Sequence, residues 1–223
     1  NTITAIGVEA FTNTAYYEAQ PDGVVYIGDV LYSCKGEMSE SAVVVRDGTV
    51  AITANAFRDR GITAVTIPES VVTIGLGAFA GNDKLTSVKM PHVTYLGDYA
   101  FADCKDLVSF TLGTLTYLGD YAFYGTAITE APSFEALDEI GEYAFQYASK
   151  LVSVTLPDGI KVGKGAFQEC KALATVVVGD NVVLGEDAFR LDYANDNFKT
   201  ESYKKGNLRY YYAVMVSPLH SLT

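Results

Sequence analysis

Hydrophobic positions along this chain recur with a period of 22 residues. Ala-Phe pairs end at Phe57, Phe79, Phe101, Phe123, Phe145, Phe167 and Phe189, each 22 residues after the last. An eighth pair, Ala10-Phe11, lies 46 residues before Phe57, which is one period plus 24 extra residues. Five positions before each Phe stands an aliphatic residue, and Gly follows it in every repeat except at Thr53. Between successive Phe residues runs an L-x-x-V-x-L pattern: Leu85-Val88-Met90, Leu107-Phe110-Leu112, Leu151-Val154-Leu156 and Leu173-Val176-Val178. It comes one residue early at Ile62-Val65-Ile67 and is degenerate around Ile128, Ala131-Pro132 and Phe134.

Alternation within V-x-L predicts a short strand with the named residues pointing inward. The aliphatic-Gly corner predicts a second short extended segment. The G-D-Y-A-F stretch predicts about one helical turn, with Asp98, Asp120 or Glu142 near its N-terminus. A lone repeat cannot enclose its own apolar residues. Stacked repeats can, each adding a rung to a parallel sheet about 4.8 Å from the last. The expected architecture is a mostly β solenoid of about eight repeats over residues 1–190, with short helical turns.

The 24 extra residues, at about 14–41, hold Val24–Ile27, Gly28-Asp29 and Val30–Ser33, which read as a hairpin with a two-residue turn. Covering the first rungs is one duty for it; acting as a recognition loop is the other. Residues 191–223 belong to the same domain, as a C-terminal cap or a truncated ninth repeat. They comprise a polar stretch at 192–197, a turn at Lys204–Asn207 and a Tyr- and Val-rich strand at Leu208–Val216.

Composition narrows the partners. A chain of 223 residues, 49% hydrophobic and 19% charged, can bury a sizeable core. The net charge of −11 argues against general affinity for nucleic acid or anionic membranes. No apolar run approaches the roughly 18 residues of a transmembrane segment. The chain opens at Asn1 with no Met and no charged-then-apolar leader, so it carries no signal peptide and reads as a processed or excised chain.

The pattern L-x-x-V-x-[LM]-P…[IL]-G-x-x-A-F-x-x-C resembles the leucine-rich repeats of BspA-like bacterial surface proteins, the Treponema pallidum type. The resemblance spans roughly residues 3–190 and rests on the evenly spaced Ala-Phe pairs. It implies a leucine-rich-repeat β-solenoid, right-handed and curved, exported to the surface of host-associated bacteria or some protists. It also implies adhesion, to matrix proteins or to other cells, and no shared catalytic residues. Thr53, the repeat around Ile128–Phe134 and the sequence after Phe189 depart from the pattern.

No enzymatic site, metal site or cofactor is expected. Cys104 and Cys170 each stand three residues after a Phe, three repeats and so roughly 14 Å apart, beyond the ~7 Å that a disulfide spans. Both read as buried thiols, and Cys34 has no evident partner. His92 and His220 lack a Cys or carboxylate at ligand spacing. Gly75-x-Gly77 and Gly163-x-Gly165 complete no phosphate-loop motif, and Asp192–Glu201 lacks the mid-loop Gly of a calcium loop.

The tyrosines carry the binding hypothesis. Tyr95 and Tyr117 share the column six before Phe; Tyr99, Tyr121 and Tyr143 share the column two before it, with Tyr124 and Tyr147 just past the Phe. Two readings stand: a stacking ladder that stabilises the solenoid, or a partly exposed aromatic stripe for a ligand. Outward positions of the V-x-L strands form a second candidate surface of Thr66, Lys89, Thr111, Ser133, Thr155 and Val177, with Ser87, Ser109 and Ser153 beside them. The expected function is recognition of a host or matrix protein or a glycan at the cell surface. A structural spacer that displays neighbouring domains is the alternative.

Overall fold

The structure, a computed structural model, describes residues 3, 5–7, 9–38 and 40–191, with the backbone of strands Phe198–Lys205 and Leu208–Met215. The polar stretch 192–197, the Gly206-Asn207 turn and His220 lie outside the described residues. The chain is a parallel β-solenoid of about seven turns. One stack of strands holds the V-x-L segments: Ala42–Val44, Ala64–Thr66, Ser87–Met90 and Ser109–Leu112, then Ser153–Leu156 and Thr175–Val178. The other holds the aliphatic-Gly corners: Thr73–Ile74, Tyr95–Leu96 and Tyr117–Leu118 in one sheet, then Glu139–Ile140, Lys161–Val162 and Val183–Leu184 in a second. Paired residues sit one sequence period apart: Ser87 opposite Ser109, Tyr95 opposite Tyr117.

Burial follows the alternation. In Ser87–Met90 and Ser153–Leu156 the second and fourth residues are buried and the other two exposed. Phe57 to Phe167 form one column with at most 1% of each residue exposed. Neighbouring rings stack with centroids 5.1–5.7 Å apart, as rung spacing requires. Phe189 continues the column at its end, half-buried and 5.1 Å from Phe167.

Phe11 does not join this column. It packs edge-on against Tyr32, beside a separate small cluster of Val25, Ile27 and Tyr32. The place beneath the Phe57 rung is taken by the hairpin of Gly23–Ile27 and Val30–Lys35, whose second strand pairs in parallel with Ala51–Ile52. This also accounts for Thr53. Its N–H donates to the Leu31 carbonyl at 3.0 Å and its hydroxyl to the Tyr32 carbonyl, so a strand lies below it rather than a Gly corner.

The G-D-Y-A-F stretch is not helical; among the described residues the one α-helix is Ala15–Glu18. It is a run of tight turns with two alternating sets of N–H donors. Ala100, Ala102 and Cys104 donate three residues back within their own rung, at 3.0–3.2 Å. Tyr99, Phe101 and Asp103 donate to Asp120, Ala122 and Tyr124 of the next rung, each at 2.8 Å. A helix would use every N–H internally and leave no bond between rungs. The turns need a left-handed residue two before the Phe, where φ is 54–58° at Asn55, Gly77, Tyr99, Tyr121, Tyr143, Gly165 and Asp187.

The degenerate repeat interrupts both ladders: the corner strands also divide into separate sheets between Tyr117–Leu118 and Glu139–Ile140. No strand forms around Ala131-Pro132, because Pro132 has no N–H to give to a ladder. Phe134 turns inward and meets the edge of Phe145 at 5.9 Å. Ser133 therefore lies off the strand face, although exposed.

Polar residues inside the stack are fully used. Asn82 is completely buried. Its amide donates to the carbonyls of Phe57 at 2.9 Å and Phe79 at 2.7 Å, and its Oδ1 accepts from the Ile62 N–H at 2.8 Å. Asn82→Ala is expected to cost about 2 kcal/mol, read as a shift in the denaturant midpoint, because three buried backbone groups lose their partner. Asn82→Thr should restore part of the loss, since Thr126 in the same column donates to the Phe123 carbonyl at 2.8 Å.

Candidate recognition face

The tyrosines stack and remain open to solvent. Tyr95 and Tyr117 lie parallel with ring centroids 4.4 Å apart, and Tyr99, Tyr121 and Tyr143 form a second ladder at 4.7 and 5.0 Å. Tyr95, Tyr99 and Tyr117 are 39–41% exposed, and Tyr121 and Tyr143 are half-buried between neighbours. Tyr124 leans on Tyr121 at 5.8 Å and meets Tyr147 edge-on at 5.5 Å. Tyr95 and Tyr117 lie outward because each precedes the buried Leu96 or Leu118 of a two-residue strand. Tyr99, Tyr121 and Tyr143 lie in the left-handed turn position. That conformation is ordinary for Gly77 or Asn55 but costs a bulky residue of order 1 kcal/mol.

A column of carboxylates adjoins both ladders. Asp98, Asp120 and Glu142 each precede an inner-ladder tyrosine. Instead of capping helices, Asp98 and Asp120 reach to the next rung: Oδ1 of Asp98 accepts from the Asp120 N–H at 3.0 Å, and Oδ1 of Asp120 from the Glu142 N–H at 2.7 Å. The Tyr117 hydroxyl donates to Asp98 Oδ1 at 3.3 Å, joining the outer ladder to the acids. Partial burial and then the Asp98 charge push the Tyr117 phenol up to about 12. Partial burial, with Tyr99 and Tyr143 alongside, also raises Tyr121. These phenols are neutral hydrogen-bond donors at physiological pH.

Arg58, Asp103, Tyr99, Tyr121, Tyr124 and Gln146 line an open depression of about 410 Å³ over these turns. A second, of about 510 Å³, lies beside Pro91, His92, Leu112 and Ser133, where the degenerate repeat begins. On the strand face Thr66, Lys89, Thr111 and Thr155 are exposed and Val177 is half-buried, a polar surface with no aromatic ladder. His92 donates from Nδ1 to the Glu69 carbonyl at 2.9 Å. Among the described residues no group of three His, Cys, Asp or Glu could hold a metal.

The cysteines are free and buried. Cys104 and Cys170 donate to the carbonyls of Phe79 and Phe145 at 3.2 and 3.1 Å. Burial pushes both thiols up to about 12, and burial also raises Cys34. Cys104 and Cys170 fill the column that Asn82 fills, three residues after the Phe.

The family described as the BspA-type leucine-rich repeat region matches residues 1–105 and 78–194, in six copies. The chain belongs to the BspA-type leucine-rich repeat family. Its repeats and fold are typically those of non-catalytic binding scaffolds. A leucine-rich repeat protein from Bacteroides ovatus is 27% identical over 67% of this chain and 46% of that one, with a TM-score of 0.56. A leucine-rich cell surface protein from Faecalibacterium prausnitzii is 25% identical over 66% of this chain and 51% of that one, TM-score 0.49. A leucine-rich repeat protein from Eubacterium ventriosum shares the fold at TM-score 0.60 and 22% identity, over 81% of this chain and 50% of that one. This BspA-type chain thus spans about half the length of these proteins. Comparison with curated proteins finds no match. No helix among the described residues is long and apolar enough to cross a membrane.

Two features of the face escaped the sequence reading. The acids beside the ladders, expected at helix starts, instead form a ladder of their own in the column three before the Phe. The left-handed position was legible in principle, because Gly77, Gly165, Asn55 and Asp187 share that column with the tyrosines.

Proposed function

We propose that this chain is a non-enzymatic recognition module, presented outside the cell, that binds a host or matrix protein or a glycan through Tyr95, Tyr99, Tyr117, Tyr121 and Tyr143. The observation that carries the reading is the exposure of paired aromatic ladders on consecutive rungs, three of their residues held in a backbone conformation that other rungs assign to Gly, Asn or Asp. Exposed tyrosines supply large contact area with few rotamers to immobilise. The turn requires a left-handed residue on every rung, so a costlier Tyr where other rungs use Gly, Asn or Asp supports a role for that side chain beyond folding.

The test borrows residues from the same columns of other rungs. Tyr95→Thr and Tyr117→Thr copy Thr73; Tyr99→Asn and Tyr121→Asn copy Asn55. Wild type and this quadruple variant are compared on an array of matrix proteins and glycans. At least one ligand should bind wild type and lose about tenfold or more in affinity with the variant. Silence on the array, or equal capture by both proteins, rejects the face and leaves the spacer reading.

A further inference from the structure

The chemistry that this face accepts follows from the acids beside its ladders. Tyr-Leu-Gly-Asp-Tyr occurs at 95–99 and again at 117–121, so a carboxylate stands between an outer and an inner tyrosine on two successive rungs, and Glu142 extends the column. Asp98 and Asp120 each commit Oδ1 to the rung above. Among the described residues no Lys or Arg is paired with Asp98, Asp120, Glu142 or Asp103. Arg58, at the margin of the depression, is itself 3.7 Å from Asp59. The chain as a whole carries −11. Lys164, one rung beyond Glu142 in the same column, interacts with Tyr143 but is paired with Glu186 at 2.8 Å; the three rungs that carry the acids are thus aromatic and acidic.

Resting on the recognition reading above, we infer that the tyrosine face takes the guanidinium and ammonium groups of a basic protein segment. An aromatic face attracts a cation, and a planar guanidinium can stack on a ring while donating to a carboxylate alongside. Stacked phenols and an adjoining carboxylate column offer both contacts on each rung. An uncharged glycan could lie on the rings and donate hydroxyls to the carboxylates, but it would bring no positive charge to offset theirs. An anionic glycan would meet like charge. Charge complementarity therefore selects a basic protein over either sugar.

The experiment uses fluorescence anisotropy with a labelled peptide of alternating Arg and Gly. Its citrulline analogue keeps the planar shape, replaces one NH2 donor by a carbonyl and removes the charge. The acidic set Asp98→Asn, Asp120→Asn and Glu142→Gln keeps the Oδ1 acceptors that the rungs use. A control set, Glu37→Gln, Glu40→Gln and Asp47→Asn, makes the same charge change at exposed sites on other parts of the chain. The Arg peptide should bind wild type and weaken by about tenfold or more with citrulline, with the acidic set and with the tyrosine quadruple variant, while the control set stays within about twofold. Absence of Arg-peptide binding, equal binding of the citrulline peptide, or equal weakening by the control set overturns the inference. An array ligand that depends on the tyrosines but not on the acidic set rejects the cationic ligand and keeps the face. Silence in both experiments rejects both.

Discussion

Phe123→Ala should lower the stability of this protein by about 3–5 kcal/mol, more than any surface substitution. Phe123 is fully buried, stacked between Phe101 at 5.7 Å and Phe145 at 5.5 Å, with Phe110 packed on it at 5.1 Å. Removing the ring opens a cavity bounded by three other rings and a parallel sheet, and rungs held by ladder bonds cannot close over it. For a chain of this size the loss corresponds to a fall of about 10 °C in thermal midpoint, measurable by circular dichroism. Phe189→Ala should cost clearly less, because Phe189 is half-buried and stacks on one ring. Tyr95→Ala should cost only about the 0.5–1.5 kcal/mol of an exposed aromatic pair. Equal effects of Phe123→Ala and Tyr95→Ala would contradict the assignment of inside and outside.

Gly141→Ala is expected to destabilise by about 3 kcal/mol through the opposite fault, too much volume rather than too little. A Cβ on Gly141 would lie 2.5 Å from the carbonyl carbon and oxygen of Gly119 and 2.7 Å from the Asp120 nitrogen. All three are backbone atoms of the rung below, so no side chain can swing aside. The rungs must part, and the bond from the Gly141 N–H to the Leu118 carbonyl, already 3.2 Å, is lost with them. Gly159→Ala separates this effect from ordinary glycine behaviour. Gly159 has φ of +76° but nothing within 4 Å of its would-be Cβ, so its cost is the left-handed penalty of about 1–2 kcal/mol. Urea titrations of the two variants give the comparison. A Gly159→Ala loss equal to that of Gly141→Ala would mean that the corner glycines do not mark the contact between rungs.

Particular residues show how far the sequence could be read. The Phe column was legible because a strict period forces equivalent residues into equivalent places, and a buried aromatic has one place to go. The outward direction of Tyr95 and Tyr117 was legible from alternation with Leu96 and Leu118. Phe11 was misassigned to the column because its Ala-Phe signature is local, whereas the hairpin that takes the rung below Phe57 is decided by long-range pairing. The helical turn was misassigned because G-D-Y-A-F suits a capped helix as well as a turn. Only bonds to the next rung favour the turn, and those need both rungs in place.

Amino-acid order alone determined the period, the apolar column and the outward direction of Tyr95 and Tyr117, since all three follow from which side chains avoid water at which interval. Stacking decided everything that passes between rungs: the left-handed tyrosines, the Asp98–Asp120 relay, the exclusion of a methyl at Gly141 and the pairing of Asn82 with Phe57 and Ile62. Such contacts join atoms about one period apart, and a linear pattern can place those atoms in one column without saying which of them touch.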